Sequence, residues 1–227
     1  MDQILTIDTS GSFIRVALAN TGGLISHKSI PSKQVSKKIL VLIDEILRDS
    51  RFSLRELDSI GIVTGPGSFT GLRVGIGIAQ GLSMALQIPL VGISILELLA
   101  KAASKLVNSH HFLVAIEARE SEVYIGAYKV CLHSVDLIGN EFVLNFIEGS
   151  IASPELYLSK WVGVGNGWKY KRELENKLGV SVEDVVIDID YNTEDLIELS
   201  YQNKKEDKGE SCGILLPNYV KEELDYS

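Results

Sequence analysis

The chain has 227 residues, of which 45% are hydrophobic, and it carries a formal net charge of −8 with a sequence pI near 5.1. This acidic balance argues against a broad basic face for nucleic acid, because contacts with phosphate need Lys and Arg. The hydrophobic fraction can build a substantial core, either in one domain or in two small lobes.

The sequence predicts a cytoplasmic protein without a membrane segment. Its two cysteines, Cys131 and Cys212, lie outside any zinc-binding spacing, which is typical of a reducing compartment. The N-terminal residues lack the basic region of a secretory signal. Residues 74–96 carry no charge and are long enough to span a membrane. Pro89 divides them into a helix and a short strand, so we interpret them as buried core.

The first half of the chain predicts three strands followed by alternating helices and strands. Short apolar or alternating runs predict the strands, and apolar residues three and four apart predict the helices. In chain order we expect strands over 3–7, 13–19 and 24–30, a helix over 35–47, a helical turn opened by Ser53, a strand over 59–63, a helix rich in small residues, a strand over 90–93 and a helix from Ser94 to about Leu106.

The second half repeats this order. Asp8 and Glu117 each follow the first strand of their half, and a turn of the same length follows both. The repeat predicts strands over 112–116, 122–130 and near 142–147, a helix opened by Ser153, a strand over 161–164, a helix over 168–178, a strand over 185–187, a helix over 193–201, a polar loop over 203–210 and a last apolar piece over 213–220. We therefore predict lobes at 1–106 and 107–227, the second divergent after about residue 178.

Residues 64–86 read TGPGSFTGLRVGIGIAQGLSMAL, which predicts a tight glycine turn and then a helix capped by Ser68 or Thr70. Small residues recur every four positions in two rows: Gly71, Gly75, Ala79 and Ser83, and then Gly77, Gly81 and Ala85. Residues four apart share a helix face, so each row is a shallow stripe against which another backbone can pack closely. The spacings of the phosphate loop and of GxGxxG are both absent, which favours packing over phosphate binding.

The duplicated order, with a carboxylate after each first strand, describes the actin, hexokinase and Hsp70 architecture. We therefore predict an α/β fold of two actin-like (ASKHA, ribonuclease H-like) lobes, each a mixed sheet with flanking helices. ATP lies between the lobes in that superfamily, so Asp8, Ser10 and Glu117 are candidates for positions near a nucleotide. Alternatively, Asp8 caps its own turn by accepting from backbone N–H groups.

No other pattern indicates catalysis or a metal site. The four histidines lack the HExxH spacing: His27, His110, His111 and His133. Ser68 lies in GSFTG, whereas a nucleophile elbow reads GxSxG, and no histidine is marked as its base. We predict no metal and no catalytic residue.

The string GPGSFTGLRVGIG at 65–77 closely resembles the TsaB (YeaZ) family, as do residues 7–10, 79–82, 89–96, 117–124 and 165–168. The resemblance implies a non-catalytic subunit that binds and supports TsaD, the related subunit that carries the active site. With the ATPase TsaE, this pair transfers a threonylcarbamoyl group to the adenosine beside the anticodon of tRNA. The chain departs from the family at Val35, Val41 and Glu117, where members often have histidine, proline and aspartate.

The resemblance also implies that the small-residue helix is the pairing surface, and that members form homodimers through it. We place the partner interface at Gly71, Arg73, Val74, Gly75, Ile78, Ala79 and Leu82. No tightly bound cofactor is implied; ATP or ADP would bind at the complex with the partner, and tRNA would be contacted only indirectly. Two alternatives stay open: an ATP-dependent kinase or phosphotransferase using Asp8 and Glu117, and a direct tRNA-binding module, which the acidic charge disfavours.

Overall fold

The computed structural model describes residues 2–119, 121–132, 134–146, 160–206, 209–210, 215–216 and 218. The chain divides into two compact units. The first consists of Met1–Ile95 and Asn192–Asn218, and the second contains Leu96–Tyr191.

Eleven strands and five α-helices occur in the described residues. In chain order they are β1 Gln3–Asp8, β2 Phe13–Asn20, β3 Gly23–Pro31, α1 Val35–Asp49, β4 Ser59–Gly65, α2 Phe69–Leu86, β5 Leu90–Ser94, α3 Ile95–Ser104, β6 His111–Glu117, β7 Glu122–Cys131, β8 Ser134–Asn145, β9 Trp161–Val164, α4 Lys171–Leu178, β10 Val182–Val186, α5 Thr193–Lys205 and β11 Gly209–Glu210. Short 3-10 turns occupy Leu54–Glu56 and Asn166–Tyr170.

The two sheets have the same internal order. The first runs β11-β5-β4-β1-β2-β3 and the second β10-β9-β6-β7-β8. In both, three neighbouring strands are parallel (β5, β4 and β1; β10, β9 and β6), and the next strand returns antiparallel as a hairpin. The shared strand order confirms the predicted α/β fold of two actin-like lobes.

Helices α1 and α2 cover the first sheet with apolar side chains. The helical spacing predicted for α1 places its buried residues on one stripe, namely Ile39, Leu42, Ile43, Ile46 and Leu47. This stripe shares one core cluster with buried residues of β1, β2, β4 and α2. Burial of this cluster fixes α2 on the sheet that ends at the candidate site.

The second core is centred on two fully buried tryptophans. The Trp168 indole N–H donates to the carbonyl oxygen of Leu113 at 2.7 Å, and Gly163 lies against the Trp168 ring, where a side chain would collide. Trp161 contacts the His111 ring edge-on, with 5.5 Å between the ring centroids. These contacts fix the segment after β9 against β6.

Helix α5 belongs to the first unit, whereas the sequence predicts it in the second lobe. Its Ile197 packs with Ile4, its Ser200 fills the space left by Gly61, and its Lys204 forms an ion pair with Asp2 at 2.6 Å. The chain thus returns to its first strand after completing the second sheet. A repeat read along the sequence contains no information about that return.

Several predicted boundaries also move. β8 begins at Ser134 rather than near 142, and α5 continues to Lys205, so that part of the predicted polar loop is helical. The predicted helix over 168–178 begins as a 3-10 turn. The helix predicted from Ser153, His133, and most of the apolar piece over 213–220 lie outside the described residues.

Helix α2 is the one described helix with the length and hydropathy of a membrane span, with a mean hydropathy of 1.2 over 18 residues. Core helices of soluble proteins pass the same test. α2 packs on β4, β1 and β5 of the first sheet, in agreement with its interpretation as part of the fold.

Candidate functional site

Two features of the first unit meet at the start of α2: the small-residue helix and the turn after β1. Ser68 caps the helix by accepting from the Gly71 N–H at 3.2 Å. The Ser68 N–H donates to the carbonyl oxygen of Ser10 at 2.7 Å, and the Thr9 hydroxyl donates to the carbonyl oxygen of Gly71 at 2.8 Å. The helix therefore begins directly on the turn between β1 and β2.

The first small-residue row of α2 is buried inside this unit. A Cβ on Gly71 would overlap the carbonyl oxygen of Thr9, and one on Gly75 would overlap the Thr9 hydroxyl. Ala79 and Ser83 lie on the same buried face. The sequence assigns Gly71, Gly75 and Ala79 to the partner interface, whereas the structure buries all three within the first unit.

The second row lies on the opposite face of α2. At Gly77 and Gly81 an added Cβ would meet no atom within 4 Å. Phe69 and Met84 beside them are 56% and 63% exposed. The Arg73 guanidinium lies 3.8 Å from the centroid of the Phe69 ring. We call these five residues the outward face of α2.

Further apolar side chains lie on α2 and on α1. Three of the predicted interface residues are half-buried against the core of the first unit: Val74, Ile78 and Leu82. On α1, which contacts α2, Leu40 and Val41 are 54% and 53% exposed. The surface is shallow and apolar, with Arg73 as the charge on α2.

Asp8 ends β1 and its side chain is fully buried. One carboxylate oxygen accepts from the Ser10 N–H at 2.9 Å and from the Ser10 hydroxyl at 2.6 Å. The other accepts from the Arg15 guanidinium at 3.1 Å. Asp8 and Ser10 are therefore brought together as predicted, and the arrangement is the cap of a turn.

This arrangement does not fit a metal-bound nucleotide at Asp8. Arg15 already supplies the cation beside the carboxylate, and a second cation there would be repelled. Among the described residues there is no group of three or more His, Cys, Asp or Glu side chains that could hold a metal ion.

Glu117 ends β6 in the second unit, and its surroundings differ from those of the buried Asp8. Its side chain is 38% exposed and forms an ion pair with Lys169 at 2.5 Å; the hydrogen bond to Glu117 raises the pKa of Lys169. The backbone N–H of Glu117 donates to the Asn166 side chain at 2.9 Å. Glu117 also lines an open cavity of about 500 Å³, together with Ala118, Arg119, Ser121, Phe146 and Tyr170.

Two of the described histidines, His110 and His111, contact other parts of the second unit. A ring nitrogen of His110 lies 3.1 Å from the carbonyl oxygen of Val130, and His111 packs on Trp161. Burial lowers the pKa of His111 below the ordinary 6.5, and the neighbouring charges of Lys129 and His110 add to this effect.

Arg15 is not among the site residues that the sequence predicts. The signal was nevertheless present: a tight turn after Asp8 places Arg15 directly opposite it in an antiparallel hairpin. The roles of Lys169, Phe146 and Tyr170 had no such signal, because they depend on the packing of distant segments.

Comparisons with known proteins agree with this fold. The family model for TsaD, described as tRNA N6-adenosine threonylcarbamoyltransferase, matches residues 17–224. The tRNA threonylcarbamoyladenosine biosynthesis protein TsaB of Buchnera aphidicola subsp. Schizaphis graminum is 36% identical over 180 residues, covering 78% of this chain and 84% of that protein. The TsaB protein of Escherichia coli K12 is 33% identical over 189 residues, covering 80% and 79%.

The solved structure of YeaZ from Pseudomonas aeruginosa superposes with a TM-score of 0.79 at 30% identity, and the match covers 97% of this chain and 100% of that one. Sequence and fold therefore agree over most of the molecule: the chain belongs to the TsaB (YeaZ) family of tRNA threonylcarbamoyladenosine biosynthesis proteins.

Proposed function

We propose that the chain is a non-catalytic subunit of the tRNA threonylcarbamoyladenosine machinery, and that it binds and supports TsaD through the outward face of α2. The observation that carries the proposal is the open space at Gly77 and Gly81. Each glycine in a helix interior costs about 1 kcal/mol relative to alanine. Gly71 and Gly75 are explained by the contact with Thr9, whereas Gly77 and Gly81 have no such contact within the described residues.

A close approach by the backbone of another protein explains these two glycines. Phe69 and Met84 supply exposed apolar area around them, and large apolar side chains at the centre of a patch provide much of the energy of an interface. Because the face contains few charges, we expect pairing to depend weakly on salt.

The absence of catalysis is part of the same proposal. Asp8 is held by Arg15 and Ser10, and the Ser68 hydroxyl serves as a helix cap. These contacts support a scaffolding role more than the alternative, a kinase or phosphotransferase that would use Asp8 at a metal-bound nucleotide. We further propose that the chain is located in the cytoplasm and holds no tightly bound cofactor, so that ATP or ADP binds only at the complex with TsaD. TsaE is the second partner, and tRNA is contacted through the complex. When TsaD is absent, the chain forms a homodimer through the same face.

Co-purification with tagged TsaD tests the proposal. We expect Gly77→Leu and Gly81→Leu to abolish pairing without loss of the fold, because leucine fits the open space in the free chain but blocks a close approach. Asn176→Leu is the matched control, since it adds the same side chain at an exposed position of α4 in the second unit. Thermal melts verify folding, and pairing retained by both glycine variants would disprove the interface.

A further inference from the structure

After β11, which pairs with β5, the chain returns to α2. The structure describes Leu215, Leu216 and Asn218 here, and we call these three residues the strap. The carbonyl oxygen of Leu215 accepts from the side-chain amide of Gln80 on α2 at 2.7 Å. The backbone N–H of Asn218 donates to the carbonyl oxygen of Thr64, near the end of β4, at 2.9 Å. The strap is therefore attached both to α2 and to the sheet on which α2 packs.

The first sheet has room for the strap. Leu215 packs against the core cluster of the first unit. A Cβ on Gly92, in the middle of β5, would lie 3.1 Å from the Leu215 side chain and 3.0 Å from the Thr64 methyl group. Glycine weakens the interior of a strand and often marks a close approach, so the space needed by these two side chains explains Gly92. The strap is thus a packed part of the first unit.

Leu216 has the opposite environment. Its side chain is 75% exposed, whereas that of Leu215 is packed. Gln80, which binds the strap, precedes Met84 by about one helical turn, so the two residues lie on the same side of α2. Because Leu216 follows Leu215 directly, the bond from Gln80 places it near the side of α2 that carries Met84. Leu216 therefore adds apolar area next to the outward face of α2.

Exposed apolar side chains are concentrated in this part of the first unit. Ten large apolar residues are exposed in the described part of the chain, and five of them lie on α1, α2 and the strap, namely Leu40, Val41, Phe69, Met84 and Leu216. A single exposed leucine is ordinary in a soluble protein, but several exposed apolar residues on neighbouring elements mark an interaction site. The strap contains no charged residue, whereas contacts with nucleic acid need Lys or Arg. The chemistry therefore favours a protein partner.

We infer that the strap is part of the surface that binds TsaD, and that Leu216 buries its side chain against TsaD when the outward face of α2 pairs. The inference rests on the proposed function and extends the interface from one helix to a segment that is distant in the sequence. TsaD is the occupant because the bond between Gln80 and Leu215 joins the strap to the helix that we propose for TsaD. Since the backbone at Leu216 is already held, little freedom is lost when its side chain is buried.

Titration of purified TsaD with the full chain tests the inference. We expect Leu216→Ala to weaken binding about tenfold. Leu216→Asp should abolish it, because aspartate brings a charge into an apolar contact. Leu132→Ala and Leu132→Asp are the matched controls, since Leu132 is 84% exposed in the second unit, and they should bind TsaD as the unaltered chain does.

Two further measurements accompany the titration. Thermal melts of all four variants should match that of the unaltered chain, because both leucines are exposed. Hydrogen exchange of a peptide that contains Leu216 should slow when TsaD is added, since a buried segment exchanges less readily with solvent.

Three results would overturn the inference: TsaD binding that Leu216→Asp leaves unchanged, equal losses in the Leu216 and Leu132 variants, and exchange at Leu216 that TsaD does not slow. A Leu216→Asp variant that no longer forms a homodimer but still binds TsaD would place a second copy on the strap, and would also overturn it.

The variants Gly77→Leu and Gly81→Leu distinguish this inference from the proposed function. If they abolish pairing and Leu216→Asp does not, the inference about the strap fails and the proposed interface on α2 stands. If they pair normally and Leu216→Asp does not pair, the interface on α2 fails and the strap remains a binding surface. No binding of the unaltered chain to TsaD would overturn both.

Discussion

Arg15 lies directly opposite Asp8 in the β1–β2 ladder, and its guanidinium donates to the fully buried Asp8 carboxylate at 3.1 Å. The pair lies at the end of β1, where the first strand of the lobe carries a carboxylate. It also closes the turn between β1 and β2, on which α2 begins. Removing one partner of a buried ion pair strongly destabilises a protein, because the other charge stays buried.

Arg15→Met should therefore lower the free energy of unfolding by about 3 kcal/mol, measured by urea denaturation. The matched control is Arg48→Met, which breaks the Arg48–Asp44 pair on α1, where both side chains are about 70% exposed. That variant should change stability by less than about 0.5 kcal/mol. Equal effects of the two variants would contradict a structural role for the Asp8–Arg15 pair.

Gly75 and Gly77 are two residues apart on α2 and should respond in opposite directions to alanine. Gly75→Ala places a methyl group onto the Thr9 hydroxyl and should destabilise the chain by about 2 kcal/mol. Gly77→Ala enters open space and should stabilise it by about 0.5–1 kcal/mol. Chemical denaturation of both variants measures the change in the free energy of unfolding. Changes of the same sign would refute the assignment of Gly75 to the buried face and Gly77 to the outward face of α2.

The contact between Gly61 and Ser200 tests whether α5 completes the first unit. A Cβ on Gly61 would overlap the Ser200 hydroxyl, so Gly61→Ala should destabilise the chain by about 2 kcal/mol. Ser200→Ala removes the overlapping oxygen, and the double variant should be more stable than the sum of the two single effects predicts. Strict additivity in the same denaturation assay would argue that α5 is not seated on β4.

His111 should make stability depend on pH. Its lowered pKa means that, as the pH falls below 6.5, the unfolded chain binds this proton before the folded chain does. The free energy of unfolding therefore contains a contribution that is complete above pH 6.5 and is lost as the pH falls through the lowered pKa.

His111→Phe retains a ring against Trp161 and should reduce the loss of stability between pH 7 and 5. His27→Gln, at an exposed position of β3, is the control. A pH profile that His111→Phe leaves unchanged would exclude His111 as the source.

The repeat could be predicted because its signals are local. Asp8 and Glu117 follow apolar strands of similar length, and each strand, turn and helix around them has its own residue pattern. The position of α5 could not be predicted in this way, since it depends on a contact between residues such as Lys204 and Asp2, at opposite ends of the chain.

The two faces of α2 illustrate the same limit. Gly75 and Gly77 have equivalent places in two rows of small residues, and the spacing of four is the same in both. Which row meets Thr9 depends on the rotation of the helix about its axis, and that rotation is set by the seating of Ser68 on Ser10. The sequence thus predicted a close-packed helix but assigned part of its partner surface to the buried side.

The return of α5 to the first sheet has a consequence for synthesis on the ribosome. The first unit needs Thr193–Lys205, which are translated only after the strands of the second sheet. Until then Ile4 and Gly61 lack the residues that cover them, Ile197 and Ser200. The unit at the amino terminus is therefore completed only after the strands of the second sheet have been made, and a nascent chain interrupted before α5 exposes apolar surface to chaperones and proteases.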